Sequence, residues 1–204
     1  MSLPQLIAVL ERAQILGHIG SGSIQGYLEH AQAHLAVASP GVKTRWCDLG
    51  SGGGLPGLVV AVERPDVKLT LIDRSASRTA FLADAVRLLG VTSNVDVVTG
   101  DATELAHQEI FRGVFDGALS RSFGAPAVTA ECAIGFLAKG GQLVVSEPPE
   151  SDPERWPLPE VRALGYSGLE PIEGPPRFAR LVVATPPGPE IPRKWKHVSK
   201  RPLF

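Results

Sequence analysis

Residues 45–57 read Arg45-Trp46-Cys47-Asp48-Leu49-Gly50-Ser51-Gly52-Gly53-Gly54-Leu55-Pro56-Gly57, and the fold turns on how they are read. A short apolar run with an acid in it leads into a glycine-rich turn, and a helix-competent run from Leu55 to Glu63 follows. That order fits a buried parallel strand, a loop and a helix. Gly50, Gly52 and Gly54 stand at alternate positions, where a missing Cβ permits a sharp bend and lets a ligand approach the main chain. The exposed N–H groups that open the next helix are then expected to face that ligand.

The glycines alone leave two ligand classes open, because Gly52-x-Gly54-x-x-Gly57 also satisfies the spacing of a dinucleotide fingerprint. Asp48 tilts the balance. Asp48-Leu49-Gly50-Ser51-Gly52-Gly53-Gly54 resembles the first motif of class I S-adenosylmethionine (SAM) dependent methyltransferases, whose ligand carries a positive sulfonium and no pyrophosphate.

Around this stretch lie 204 residues, 44% hydrophobic and 20% charged, which fit one globular unit with a sizeable core. It divides into helices over residues 1–40, a Rossmann-like core over 41–190 and a basic tail over 191–204. No apolar run approaches the ~20 residues of a membrane span, so no membrane association is expected. MSLPQLIAVLERAQ has no basic region ahead of its apolar residues, so no signal peptide is expected either. Cys47 and Cys132 sit far apart in apolar segments and read as reduced thiols of a cytoplasmic protein.

Before the glycine loop, Ser2-Leu3-Pro4-Gln5 has the form of a capping box, and Leu3, Leu6, Ile7 and Leu10 mark one helical face. Ile24, Tyr27, Leu28, Ala31 and Leu35 mark a second helix, stopped by Ser39-Pro40-Gly41. His18, His30 and His34 lack partners at metal-ligand spacing, so they read as surface or packing residues and no metal is expected.

After the loop, strands and helices alternate. Strands are expected at Val67–Ile72, Val95–Val98, Phe115–Leu119 and Gln142–Val145, with helices at Ala76–Leu89 and Ala127–Leu137. Val161–Leu164 reads as a further helix, and Gly168–Ile172 with Phe178–Ala184 as a closing antiparallel pair. The alternation predicts a doubly wound, mostly parallel sheet of seven strands, with ligands at the carboxyl ends of the strands. Asp73 closes the second strand about twenty residues beyond the glycines, where a carboxylate can accept both ribose hydroxyl protons. Asp101 follows the third strand and reads equally as an adenine contact or as a helix N-cap.

The strings DLGSGGGLPG, LIDRSASRTAFL, FDGALSRSFG and SEPP resemble the glucose-inhibited division protein B family, also called RsmG, over roughly residues 45–149. That family methylates N7 of a guanine in small-subunit ribosomal RNA with SAM. The resemblance implies that Gly50, Ser51, Gly52 and Gly54 hold the methionine part of SAM. It also implies that Asp73 takes the ribose, that Asp101, Ala102 and Thr103 surround the adenine, and that Asp48 and Arg74 belong to the same cofactor site. Ser120 and Arg121 would form the methyl-transfer face. The partner implied is rRNA or the small ribosomal subunit. Departures from the family are a shortened amino-terminal portion, Asp101-Ala102-Thr103 after Gly100, and Ser77-Arg78 where the family has Lys-Arg. They keep two alternatives in view, a small-molecule methyltransferase and an inactive SAM-binding paralogue.

Guanine N7 has a lone pair and no proton to lose, so its methylation needs alignment rather than a general base. Arg121 can hold a phosphate or guanine O6 through its N–H fork, or can form an ion pair with Asp116 or Glu147. The Asp/Asn-Pro-Pro-Tyr string of amino-group methyltransferases is absent from the fourth strand, where Ser120-Arg121-Ser122-Phe123 stands. The tail IPRKWKHVSKRPLF holds five of the 20 basic residues and none of the 21 acidic ones. Arg193, Lys194 and Lys196 are thus candidate phosphate contacts, with a docked terminus as the alternative.

Overall fold

The computed structural model describes residues 3–204, Pro153 by its backbone only. The capping box assigned to Ser2 falls outside the described residues. Seven strands form one sheet: β1 Arg45–Leu49, β2 Lys68–Asp73, β3 Val95–Thr99, β4 Phe115–Ser120, β5 Leu137–Glu147, β6 Tyr166–Ile172 and β7 Arg177–Val183. Their order is β3-β2-β1-β4-β5-β7-β6. The pairs among β1 to β5 are parallel, and β7 runs antiparallel to both β5 and β6. The doubly wound, mostly parallel sheet and the closing antiparallel pair match the sequence reading.

Alternation along the strands divides the core in two. Trp46, Leu69 and Leu71 point into one layer, which α1 Leu3–Ile15, α2 Ile24–Ala38, α3 Gly57–Glu63 and α4 Ala76–Leu88 cover. Cys47, Leu49 and Ile72 point into the other, covered by α5 Ala102–Leu105, α6 Pro126–Ile134, α7 Leu158–Leu164 and α8 Trp195–Lys200. Successive side chains of a strand face opposite sides, so both layers are filled from the same short apolar runs. Cys47 and Cys132 are buried and free, as expected.

Three local expectations are corrected. The helix after the glycine loop begins at Gly57, because Leu55 and Pro56 still belong to the turn. The helix expected to reach Leu137 stops at Ile134. The Phe136 carbonyl accepts from Val114 and Phe115 N–H, so this backbone pairs with β4 and Leu137 opens β5. Leu3 is exposed, and α1 buries Val9 and Ala13 with Leu6 and Leu10. The basic tail is docked, the alternative reading, since Trp195–Lys200 is a helix that buries Val198.

Candidate functional site

The carboxyl ends of β1 to β4 open onto two joined clefts. One runs from Asp73 and Arg74 to Asp101 and Ala102 and is bordered by Phe123 and Trp195. The second lies over Ser51 and Gly52 and reaches His18, Tyr27 and Arg121. Gly50, Arg78 and Ser122 border both.

The glycine loop between them is held from inside. Gly50, Gly52 and Gly54 take φ of +72°, +55° and +97°, a region that other residues enter only with strain. The N–H groups of Gly50 and Ser51 donate to the Ile72 carbonyl, at 2.9 and 3.0 Å. Gly52 N–H donates to Asp73 Oδ2 at 2.9 Å, and Gly57 N–H to Asp48 Oδ2 at 3.0 Å. A Cβ on Gly57 would come within 2.6 Å of that Asp48 oxygen, which is why the turn ends in glycine. The expectation that the loop and helix donors face a ligand is therefore corrected, because folded-in N–H groups take partners from the protein.

Asp48 is 1% exposed and lies beneath the loop rather than in either cleft, which corrects its assignment as a cofactor contact. Its Oδ1 has no partner among the described residues. Burial pushes its carboxyl up to about 7 against the Gly57 hydrogen bond, and the Asp73 charge adds to the rise. Ser51 turns its hydroxyl back to the Asp48 carbonyl at 2.8 Å, so its side chain fixes the loop while its backbone borders the cleft.

Asp73, 4% exposed, lines the first cleft. Besides Gly52 it accepts from Ser75 N–H at 2.9 Å, and Arg78 stands 3.7 Å away. Each carboxylate oxygen keeps acceptor capacity beyond one N–H. Arg74 lies over the Trp195 ring, 5.4 Å from its centroid. Asp101 is the N-cap of α5: its Oδ1 accepts from the Thr103 N–H at 2.8 Å and hydroxyl at 2.7 Å. It also borders the cleft, so the two sequence readings coexist. Thr103 is buried under that cap and lines neither cleft, which corrects its assignment.

Past β4, Ser120 is 1% exposed with an unpartnered hydroxyl. It borders a side cleft toward Ser146 and Glu147, not the second cleft. Arg121 stacks over the Tyr27 ring at 4.8 Å, and its Nη1 has no hydrogen-bond partner among the described residues. Neither expected ion pair forms. Asp116 accepts from Arg45 N–H, and Glu147 holds Arg155 at 2.7 Å and the Trp156 ring N–H. Burial works against the Arg121 charge, and the neighbouring Tyr27 and Asp48 work for it. Behind Arg121, His30 Nε2 meets Ser146 Oγ at 2.8 Å, and His34 Nε2–H donates to the Val144 carbonyl at 2.9 Å. Burial lowers these imidazoles to about 4 and about 3, so both are neutral at pH 7. They pack against Phe178, as packing histidines would. Among the described residues no group of three metal-ligating side chains occurs.

Arg193 is not a free cation. Its Nε and Nη2 donate to Glu131 Oε1 and Oε2 at 2.8 and 2.7 Å, and Glu131 is fully buried. Its backbone N–H also donates to Glu131, which removes it from the candidate phosphate contacts. Lys194 and Lys196 are exposed. Phe123, Tyr27, His18 and Trp195 border the clefts but were not singled out as site residues from sequence. Phe123 lay in the family-like string FDGALSRSFG, and Trp195 stood among tail cations with two readings open.

This strand order, with a reversed strand next to the edge strand β6, is the fold of class I SAM-dependent methyltransferases. The structure of a SAM-dependent O-methyltransferase from Thermotoga maritima matches 87% of the chain and 71% of its own, at a TM-score of 0.62 and 11% identity. An RNA methyltransferase from Salinibacter ruber, solved with S-adenosyl-L-homocysteine, matches 81% of the chain and 94% of its own, at a TM-score of 0.58 and 14% identity. Residues 27–151 match the family GidB, rRNA small subunit methyltransferase G, and the chain belongs to that family. The match begins inside α2, so that helix is part of the family's shared region. Ribosomal RNA small subunit methyltransferase G from Prochlorococcus marinus is 35% identical over 124 residues, 61% of this chain and 50% of that protein. The chain spans about half the length of the first curated relatives it matches.

Proposed function

We propose that the protein binds SAM in the joined clefts and transfers its methyl group to N7 of a guanine in small-subunit ribosomal RNA, the whole chain acting as one methyltransferase unit. The observation that carries this is Asp73. Its carboxylate borders the first cleft, is fastened to the glycine loop through Gly52 N–H and retains lone pairs for two hydroxyl protons. Family membership and the fold support the same reading.

The residues fit the cofactor part by part. Asp73 would take the ribose, and Asp101 with the Ala102 N–H would meet the adenine. The bare backbone of Gly50, Ser51 and Gly52 would lie along the methionine part. SAM supplies an electrophilic methyl group on a sulfonium, and the chain's own task is to bring a lone pair in line with it. Arg121 is suited to that task, because its guanidinium lies over the Tyr27 ring and borders the second cleft. A guanidinium fork there suits guanine O6 or a phosphate. No residue needs to remove a proton, since proximity and orientation carry the rate. Lys194 and Lys196, exposed on the tail, are proposed phosphate contacts.

Incubation with tritiated SAM tests this, using undermethylated small ribosomal subunits, naked rRNA and a metabolite extract in parallel. Label in rRNA, recovered as 7-methylguanine, is the expected result. Label in the metabolite fraction would make the substrate a small molecule. Binding of SAM without transfer to any fraction would leave a SAM-binding protein without this activity.

A further inference from the structure

The carboxyl-terminal segment, read from sequence as a tail that meets phosphates or docks on the body, forms part of the wall of the first cleft through Trp195. Its position is fixed at several points. Arg193 forks onto buried Glu131, His107 Nε2–H donates to the Pro192 carbonyl at 2.7 Å, and Arg112 donates to the carbonyls of Ile191 and Gly188 at 2.9 and 2.8 Å. Val198 is fully buried beneath α8. Downstream of these anchors Trp195 has little freedom, and its indole borders the cleft that also holds Asp73 and Asp101.

Trp195 is one of two aromatic rings there. Phe123 meets it edge to face with centroids 6.3 Å apart, and the Arg74 guanidinium lies 5.4 Å from its centroid. A ring pair and a guanidinium plane, set across from carboxylates that suit hydroxyls and an exocyclic amine, make the surroundings of a purine nucleoside. Covering apolar surface is what a terminal tryptophan ordinarily does. Trp195 does that as well, but it also presents itself to a cleft bordered by Asp73, Asp101 and Arg78.

We infer that Trp195 is a binding residue for the adenosine part of the cofactor, so that the carboxyl-terminal segment completes the cofactor site and is not primarily an RNA arm. The inference rests on the proposed use of SAM and adds a residue from outside the region that matches the family, which ends at residue 151. Loss of one aromatic stacking partner from a bound base weakens binding by roughly tenfold, or about 1.4 kcal/mol. The loss should follow the nucleoside and not the amino-acid part.

Calorimetry with S-adenosylhomocysteine and with 5′-methylthioadenosine tests this on the full chain, comparing wild type, Trp195→Ala and Trp195→Phe. Expected is a roughly tenfold loss in W195A that is equal for the two ligands, with most of the affinity restored in W195F. Ligand-induced change in tryptophan emission should be present in the wild type and largely absent from W195F, since Trp46 and Trp156 are buried away from the cleft. If W195A binds both ligands within twofold of wild type, the inference is overturned while the cofactor assignment stands. Should W195A unfold, W195F decides: an unchanged emission response there overturns the inference. A wild-type protein that binds neither ligand would overturn the cofactor assignment itself.

Discussion

The glycine loop and the surface around Arg121 face the same clefts but are finished differently. At the loop, the N–H groups of Gly50, Ser51, Gly52 and Gly57 have protein acceptors, and the acids Asp73 and Asp48 supply two of them. Around Arg121, the Ser120 hydroxyl, Arg121 Nη1 and His30 Nδ1 are buried without a partner among the described residues, as is Asp48 Oδ1 beneath the loop. A loop whose N–H groups are satisfied by its own protein can hold its shape without a ligand. The loop therefore reads as a preset mould, and Arg121, at the border of the second cleft, as the group that faces a second molecule.

The comparison breaks most readily at its supports. Glu131 is fully buried, and Arg193 supplies its two charged hydrogen bonds. Arg193→Ala should therefore lower unfolding free energy by about 2–3 kcal/mol in urea denaturation. An unchanged midpoint would mean that the carboxyl-terminal segment is not anchored as described. Next in size is Asp73→Ala, which removes both the proposed ribose acceptor and the Gly52 strap. S-adenosylhomocysteine affinity should fall by about 2 kcal/mol, roughly thirtyfold, in calorimetry. Equal affinity would move the ribose elsewhere.

A third test concerns protons. His30 and His34 have folded-state values lowered to about 4 and about 3, so between those values and 6.5 the unfolded chain binds more protons through them, and stability rises with pH. Asp48 works in the opposite sense, because with its carboxyl raised to about 7 the folded state keeps a proton that the unfolded chain releases above 3.8. The two histidines outnumber the acid, so stability should rise from pH 4.5 to 6.5. In Asp48→Asn the opposing proton is gone, and the rise should steepen by up to about 1.4 kcal/mol per pH unit, read from denaturation midpoints across that window. An unchanged slope would place Asp48 in its ordinary ionised state.

What was legible in the sequence was local. The strand, the glycine turn, the acid at the end of β2 and the closing antiparallel pair are each announced by a few neighbouring residues. Burial on both faces leaves only the first residue of β1 and of β2 exposed, although Asp48, Thr70 and Asp73 interrupt their apolar residues. What escaped depends on contacts far apart in the chain. The end of α6 is set where β4 claims the Phe136 carbonyl, and Arg121 lies on a tyrosine in α2 rather than beside an acid on a neighbouring strand. Arg193 reads as one more tail cation until Glu131, which looks like an ordinary helix-surface acid, proves to be buried beside it. Asp48 and Thr103 were drawn into the site by motif position. Both support it from underneath.

The separation of mould from target surface is tested most directly by Arg121→Ala, measured twice on one preparation. Single-turnover transfer from tritiated SAM to undermethylated small subunits should fall at least about tenfold, because the fork that orients the acceptor is gone. Affinity for S-adenosylhomocysteine should stay within about twofold of wild type, since the glycine loop draws no hydrogen bond from that guanidinium. A parallel loss of cofactor affinity and transfer would contradict the account and make Arg121 part of the cofactor site.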